Sequence, residues 1–230
     1  MQWKVNKMNI THTHRDYKDK IEMNPNRRFN GAYYYSVEIM KNMKPLIKTK
    51  RPFVTINTGK AFNHAIVFIH SNIKPEVTYA YLHKYKDLIL VCGLRDTQIK
   101  MAYSFPEHTS IYLPLSVDVK EVQQYYIPFD DKPFNTCYAG RLGKFVSDDP
   151  MAMFKVKMLT NLDRTEMLKQ MAKYQYVYSV GRTAIEAQVL GCKVLNYDKR
   201  FPKNIVWEVH DNREMAKVLN QILQGIDYGK

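Results

Sequence analysis

Glycine, arginine, threonine and glutamate stand together where one stretch of the chain changes from strand to helix. Gly181-Arg182-Thr183 follows an aromatic and β-branched run at 176–180, and Glu186 lies one helical turn further on. Free N–H groups and the dipole at a helix start attract phosphate, and arginine adds a planar cation. A carboxylate one turn into the helix can accept hydrogen bonds from a ribose. The same residues are also compatible with a surface arginine and a solvated glutamate that bind nothing.

A second candidate phosphate site is a basic, glycine-containing loop that follows another apolar run. Residues 134–139 have the composition of a strand, and residues 140–144 (GRLGK) follow directly. Glycine, a strand end and two cations coincide here, which is a usual arrangement for binding phosphate. Arg141 and Lys144 are therefore predicted phosphate ligands, with ordinary surface cations on a loop as the alternative.

Histidines supply two further candidates. His70 follows the apolar run 65–69 and so lies at the carboxyl end of a predicted strand, either facing a ligand or capping the strand structurally. His12 and His14 form a His-x-His motif, which holds metal in some hydrolases. Such hydrolases need further histidine and aspartate ligands on later strands, and the remaining histidines show no such pattern. A metallohydrolase is therefore the last-ranked hypothesis.

Eight strand-like apolar runs alternate with helical segments, and these elements must position the candidate residues. Strands are predicted at 53–56, 65–69, 88–92, 109–113, 134–139, 154–159, 176–180 and 192–197. Helices are predicted at 32–44, 75–84, 95–103, from 163 or 165 to 173, 183–190 (ended by Gly191) and 212–223. Short buried strands joined by single helices form βαβ units, so the fold class is α/β with parallel sheets. Residues 118–133, with prolines and mixed charge, are the predicted linker between lobes at 1–127 and 128–230.

Composition limits the cellular setting and the class of partner. The 230 residues are 45% hydrophobic, and no run reaches the roughly eighteen apolar residues that predict a transmembrane helix. The N-terminus lacks the apolar centre of a signal peptide, and Cys92, Cys137 and Cys192 are predicted to be separate buried thiols, so a cytoplasmic protein is expected. The net charge of +13 favours a polyanionic partner such as nucleic acid, an anionic membrane surface or a phosphorylated substrate.

Two segments of the C-terminal half carry a family resemblance. Residues 137–145 (CYAGRLGKF) and 178–195 (YSVGRTAIEAQVLGCKVL) resemble the donor-binding lobe of retaining, nucleotide-sugar-dependent glycosyltransferases with the GT-B fold, like those of glycosyltransferase family 4. Members have a strand, Gly-Arg-Leu and a lysine, and later a turn, Glu-Ala, a short apolar stretch and a glycine. Residues 65–71 (AIVFIHS) resemble the acceptor-lobe strand that ends in histidine. The likeness covers about residues 30–223, as in a compact, phage-type member.

The resemblance implies a fold and an activity. The fold would be two Rossmann-like lobes with a cleft between them, and the activity would be sugar transfer from a nucleotide-sugar, with a UDP-sugar as the expected donor. No other cofactor and no metal are expected, because cations and helix ends would neutralise the diphosphate. The acceptor could be a modified base in DNA or another anionic polymer, since the chain is strongly basic.

The resemblance also assigns roles to residues. Arg141 and Lys144 would bind the donor diphosphate and stabilise the charge on the departing group. Glu186 would bind the ribose, and His70 would reach the cleft from the other lobe, so that His70, Arg141 and Lys144 form the implied catalytic set. The implied donor-binding residues are Gly140, Arg141, Lys144, Gly181, Arg182, Thr183 and Glu186.

This chain departs from the family pattern in ways that keep a second hypothesis open. The family often has another glutamate eight residues before the ribose-binding one, and Tyr178 occupies that position here. The second lobe is also short for the fold. A GT-B-like protein that binds a nucleotide or a polyanion without catalysis is therefore the alternative to a transferase. The sequence leaves the oligomeric state open.

Overall fold

Two parallel sheets with flanking helices make up the described part of this chain. The computed structural model describes residues 39, 42, 51, 53–55, 63–69, 82–140, 156–160, 162–197, 201 and 205–228. The predicted α/β class with parallel sheets is confirmed. No helix within these residues is both long enough and apolar enough to span a membrane.

The first sheet contains the strands of the N-terminal half. They are β1 (Phe53–Thr55), β2 (Ile66–Ile69), β3 (Ile89–Cys92) and β4 (Thr109–Tyr112), all parallel and in the order β1-β2-β3-β4. Every residue of β2 and β3 is buried, as expected for central strands made of uninterrupted apolar runs. Helix α1 (Arg95–Ser104) connects β3 to β4, close to the predicted 95–103.

The second sheet contains the strands of the C-terminal half. They are β5 (Phe134–Ala139), β6 (Lys157–Leu159), β7 (Tyr174–Tyr178) and β8 (Lys193–Leu195), again all parallel. Their order is β6-β5-β7-β8. The predicted strand 134–139 is confirmed at both ends, whereas the predicted 154–159 is shorter and begins at Lys157.

Two helices of this half connect its strands, and the capping residues predicted from the sequence lie at their ends. Helix α3 (Arg164–Met171) connects β6 to β7, and Asp163 caps it by accepting a hydrogen bond of 2.9 Å from the N–H of Glu166. Helix α4 (Arg182–Val189) connects β7 to β8 and ends at Gly191, whose φ of +79° confirms the predicted cap.

The predicted linker at 118–133 is instead a structured segment. It contains helix α2 (Val119–Gln123), which packs against α4, and a short 3-10 helix at Phe129–Asp131. Asp118 caps the start of α2 by accepting from the N–H of Glu121, and Pro128 precedes the 3-10 helix, which contains Asp130 and Asp131. Helix α5 (Asn212–Tyr228) closes the chain and extends five residues beyond the predicted end at 223.

Lys132, which lies in that segment, binds the C-terminal ends of two helices. Its ammonium donates hydrogen bonds of 2.6 Å to the carbonyl of Ala172 and 2.8 Å to the carbonyl of Leu190, the C-terminal caps of α3 and α4. A cation at a helix C-terminus also stabilises the helix dipole. Lys132 is 5% exposed, and this burial lowers its pKa, an effect that the neighbouring Cys192 thiol opposes.

The chain divides into two compact units. Ile39–Leu115 and the part of α5 from Met215 onward belong to the first, and Ser116–Glu214 belongs to the second. Within the second unit, Val117 pairs with Asp211, and the Ser116 hydroxyl donates 2.8 Å to the Asn212 side-chain oxygen. The predicted lobes at 1–127 and 128–230, and a cleft between them, stay predictions.

Candidate functional site

The order of strands in the second sheet identifies one edge as a candidate ligand site. From β5 the chain passes to β6 on one side and then to β7 and β8 on the other, so the direction of the connections reverses between β5 and β7. In open parallel sheets, ligands bind outside the carboxyl ends of the strands at such a reversal. The four described strands of the first sheet follow chain order without a reversal. We therefore place the candidate site at the carboxyl ends of β5 and β7.

The turn after β7 presents a helix N-terminus at this edge. Gly181 precedes α4 with φ of +63° and ψ of −138°, a conformation open to glycine and costly for other residues. No side chain within the described residues caps this end, and Thr183 is half-buried in the first turn. The helix start predicted at this turn is confirmed, and free N–H groups and a helix dipole are features that attract anions.

Ser179, at the end of β7, is a polar residue that the sequence interpretation missed. It is fully buried, and its N–H donates 3.1 Å to the carbonyl of Leu195. Its hydroxyl has no hydrogen-bond partner among the described residues, which is costly for a buried polar group. The sequence does not indicate that this serine is buried, because its burial depends on the neighbouring strands of the folded sheet.

Arg182 and Glu186 form the centre of a buried ion cluster. The Nε of Arg182 lies 3.3 Å from Oε1 of Glu186, one turn along α4, and Nη2 of Arg164 lies 3.1 Å from the same oxygen. The side chain of Arg182 is 3% exposed and that of Glu186 is 9% exposed. The alternative of a surface arginine and a solvated glutamate is therefore wrong for both residues.

Arg164 connects this cluster to a third helix. Its Nη1 donates 2.6 Å to Oε1 of Glu121 on α2, so one guanidinium joins α2, α3 and α4. The side chain of Glu121 is 42% exposed, in contrast to the buried Glu186. Both arginines contact Oε1 of Glu186, so a ligand hydroxyl would have to use Oε2. The sequence interpretation missed Arg164 and Glu121, which lie far along the chain from Glu186.

Gly140, at the end of β5, has a packing requirement of its own. A Cβ atom at this position would lie 2.5 Å from the phenol oxygen of Tyr138, so only glycine leaves room for that ring. Tyr138 is fully buried, and its ring lies edge-on to Tyr197 with centroids 5.0 Å apart. The position of the Tyr138 ring thus accounts for a glycine at position 140, and a role for Gly140 in binding phosphate stays a prediction.

The structure brings together some of the predicted site residues. Gly140 and Gly181 follow β5 and β7, the two strands at the reversal, while Arg182 and Glu186 pair within α4. His70, Arg141 and Lys144 lie outside the described residues, as does the His-x-His motif. Within the described part of the chain, no cluster of three or more histidine, cysteine or acidic side chains could hold a metal ion.

The three cysteines are buried free thiols, as predicted. Burial raises the pKa of Cys92 to about 12 and that of Cys192 to about 11, and it raises the pKa of Cys137 as well. The ammonium of Lys132 partly opposes the shift at Cys192. Thiols with raised pKa values are poor nucleophiles, so these cysteines have a packing role.

Comparison with known protein families and with curated protein sequences finds no match to this chain. A functional interpretation therefore depends on the strand order and on the chemistry of the carboxyl edge.

Proposed function

We propose that this protein is a metal-independent glycosyltransferase that moves a sugar from a nucleotide-sugar to an acceptor. The observation that carries the proposal is the reversal of strand order between β5 and β7. It coincides with the helix N-terminus at Gly181 and with a buried carboxylate one turn further on. Phosphate and ribose are the two parts of a nucleotide that such groups bind.

Each part of the donor has a partner in this proposal. The diphosphate lies against the N-terminus of α4, near Gly181 and Thr183, and Oε2 of Glu186 accepts from the ribose. Arg141 and Lys144 neutralise the diphosphate as it departs, which replaces a metal ion. The bond between the anomeric carbon and the phosphate oxygen breaks, an acceptor oxygen bonds to that carbon, and the acceptor proton is released. His70 is the proposed group near the reacting sugar.

A polyanion is the proposed class of acceptor. The net charge of +13 attracts nucleic acid or another anionic polymer at the low salt concentrations where such interactions are strongest. A base within duplex DNA would have to be flipped out of the stack to receive the sugar.

A nucleotide-binding protein without transferase activity is the second candidate function. It is favoured by half-buried Tyr178, which stands where a second carboxylate would contact the sugar. It is also favoured by Glu186, because the carboxylate already contacts two arginines. Binding of a nucleoside diphosphate without turnover of its sugar would support this candidate over the transferase.

Thermal unfolding in the presence of UDP, GDP, ADP, CDP, dTDP and their sugars, without metal, tests the donor site. A ligand that binds the folded state raises the melting temperature, by an amount that grows with its concentration relative to its Kd. We expect one nucleoside diphosphate to do so, and Arg141→Ala and Lys144→Ala to weaken the effect. Lys84→Ala, which removes an exposed lysine of the first unit, is the charge-matched control. No shift with any nucleotide would refute the donor site.

Donor hydrolysis then separates a transferase from a binding protein. Many nucleotide-sugar transferases pass the sugar slowly to water, so release of free sugar from the donor that gives the thermal shift can be followed by chromatography. Loss of this activity in Arg141→Ala and Lys144→Ala, but not in Lys84→Ala, is the expected result. A thermal shift with no sugar release in the presence of candidate acceptors would refute the transferase.

A further inference from the structure

The amino edge of the second sheet, opposite the candidate donor site, carries several aromatic rings and an exposed lysine. We call Phe129, Phe134, Tyr174, Tyr176 and Lys193 the amino-edge stripe. Phe134 pairs with Tyr174, and Tyr176 pairs with Lys193, in the register of the parallel strands. Paired residues and residues two apart in a strand share a face, so the four strand residues project on the same side.

The members of the stripe form two contact groups, Phe134 with Tyr174 and Phe129 with Tyr176 and Lys193. Ring centroids of Phe134 and Tyr174 lie 5.2 Å apart, and those of Tyr176 and Phe129 lie 5.6 Å apart in an edge-on arrangement. The ammonium of Lys193 lies 4.5 Å from the Phe129 ring and 5.9 Å from that of Tyr176. These spacings are those of favourable aromatic and cation–π pairs, which hold the rings in fixed orientations.

Solvent reaches both ends of the stripe. Phe134 is 49% exposed, a large value for a phenylalanine, and Lys193 is exposed as well. Phe129 and Tyr176 are half-buried, whereas Tyr174 is buried and packs beside Phe134. The exposed ring thus contacts a buried one.

More basic and aromatic groups continue the stripe along the same edge. The N–H of Phe134 donates 3.1 Å to the carbonyl of Lys173, which places the backbone of that residue next to Phe134. Lys173 and Lys169 line a surface depression together with Tyr125, and the Lys169 ammonium lies 6.0 Å from the Tyr125 ring. Lys193 therefore lies at one end of the aromatic residues, and Lys169 and Lys173 lie around a depression near the other end.

We propose that the amino-edge stripe binds single-stranded nucleic acid. Unpaired bases stack on exposed rings such as Phe134, and the lysines near the two ends of the stripe contact the phosphates. The charge of the partner is complementary to the net +13 of the chain. A duplex keeps its base faces hidden, so it can use the lysines but not the rings.

The contribution of charge is limited by acidic neighbours. Asp130 and Asp131 are exposed on the 3-10 helix that carries Phe129. With Lys169, Lys173 and Lys193 as phosphate partners, the logarithm of the binding constant should fall with the logarithm of salt concentration with a slope of about −2, at about −0.7 per contact. Stacking supplies the part of the affinity that survives at high salt.

Fluorescence anisotropy with a labelled oligodeoxythymidine, its duplex form and heparin tests the proposal on the full-length protein. Phe134→Leu keeps an apolar side chain against Tyr174 but removes the flat ring, and it is combined with Lys193→Ala. The matched control combines Tyr103→Ala with Lys100→Ala on α1, since Tyr103 is 89% exposed and Lys100 is exposed. Melting temperatures verify that each variant is folded.

The stripe variant should bind the single strand about fivefold to 150-fold more weakly, as expected for the loss of one stacked base. The control variant should bind like the unmodified protein, and Phe134→Leu alone should leave heparin binding unchanged. Equal affinity of the stripe and control variants, an unaffected Phe134→Leu, or no binding of the single strand would overturn the proposal. The stripe variant should retain any thermal shift with nucleotides, so this test and that of the donor site fail independently.

Discussion

Replacing Glu186 with glutamine would remove one negative charge from the buried cluster and keep the shape of the side chain. Two guanidiniums, those of Arg182 and Arg164, contact the carboxylate at 3.3 Å and 3.1 Å. Loss of one partner from a buried ion pair costs about 3–5 kcal/mol, because the remaining charge keeps its desolvation penalty. We expect Glu186→Gln to lower the free energy of unfolding of the second unit by that amount.

Glu121→Gln is the matched control for this variant. It removes the same functional group from the same arginine, Arg164, at a contact of 2.6 Å, but the side chain of Glu121 is 42% exposed. Ion pairs in contact with solvent contribute about 0–1 kcal/mol, so this variant should be nearly neutral. The two variants share the change of charge, the residue type and the partner Arg164, and they differ in burial and in the additional contact of Glu186 with Arg182.

Urea denaturation followed by tryptophan fluorescence measures the difference. The protein has two tryptophans, and a Trp3→Phe background leaves Trp207, which is 5% exposed and belongs to the second unit. With a slope of about 2 kcal/mol per molar urea, Glu186→Gln should lower the midpoint by about 1.5–2.5 M and Glu121→Gln by less than about 0.5 M. Equal midpoints for the two variants would refute the reasoning that the cluster is held by a buried carboxylate.

Three further substitutions, two of them with a matched control, test local features of the structure. Gly181→Ala should destabilise the protein by about 1–3 kcal/mol, because alanine is strained at a φ of +63°. Its control, Gly225→Ala inside α5, should stabilise the protein by about 0.5–1 kcal/mol, because glycine is unfavourable within a helix. Thermal unfolding measures both changes. Lys132→Met should cost about 2–5 kcal/mol in urea denaturation, because two buried carbonyls lose their donor, whereas Lys120→Met on the surface should be neutral. Burial raises the pKa of Cys92 from 9.0 to about 12. Because the unfolded chain loses this proton first, the contribution of the buried, protonated thiol to the free energy of unfolding is complete below pH 9 and is lost toward pH 12. Cys92→Ala should therefore make the urea midpoint fall less steeply over that range.

Each of these expectations has a clear contrary result. An unchanged melting temperature for Gly181→Ala would mean that the turn adopts another backbone conformation. A neutral Lys132→Met would mean that water satisfies both carbonyls. An alkaline loss of stability that is identical with and without the Cys92 thiol would assign that loss to other groups.

The sequence predicted β2 and β3 to within one residue because each is an apolar run rich in β-branched residues, whereas β7 begins at Tyr174, two residues before the predicted start at 176. The prediction at 134–139 is correct to the residue, and the cap at Gly191 follows from the same local rule. Helix α5 passes through Gly225 and ends at Tyr228, beyond the predicted end at 223. Packing along the helix outweighs the modest cost of one glycine in its interior.

The features that the sequence did not reveal depend on contacts between distant segments. Lys132 stands in a polar stretch that is typical of a linker, and its partners are carbonyls 40 and 58 residues away. Arg164 and Glu186 are ordinary helix residues until α3 and α4 pack side by side. The reversal of strand order is likewise a property of the assembled sheet, since each strand has the same local pattern whichever neighbour it takes.

The two hydrogen bonds from Lys132 to helix ends affect how the second unit unfolds locally. A helix end usually frays by itself, and its amide hydrogens exchange through that local opening. Here the carbonyls of Ala172 and Leu190 share one ammonium, so unwinding either end breaks a bond of the same group that holds the other. The last turns of α3 and α4 should therefore lose their amide protection together, as one opening unit that includes the 3-10 helix before Lys132.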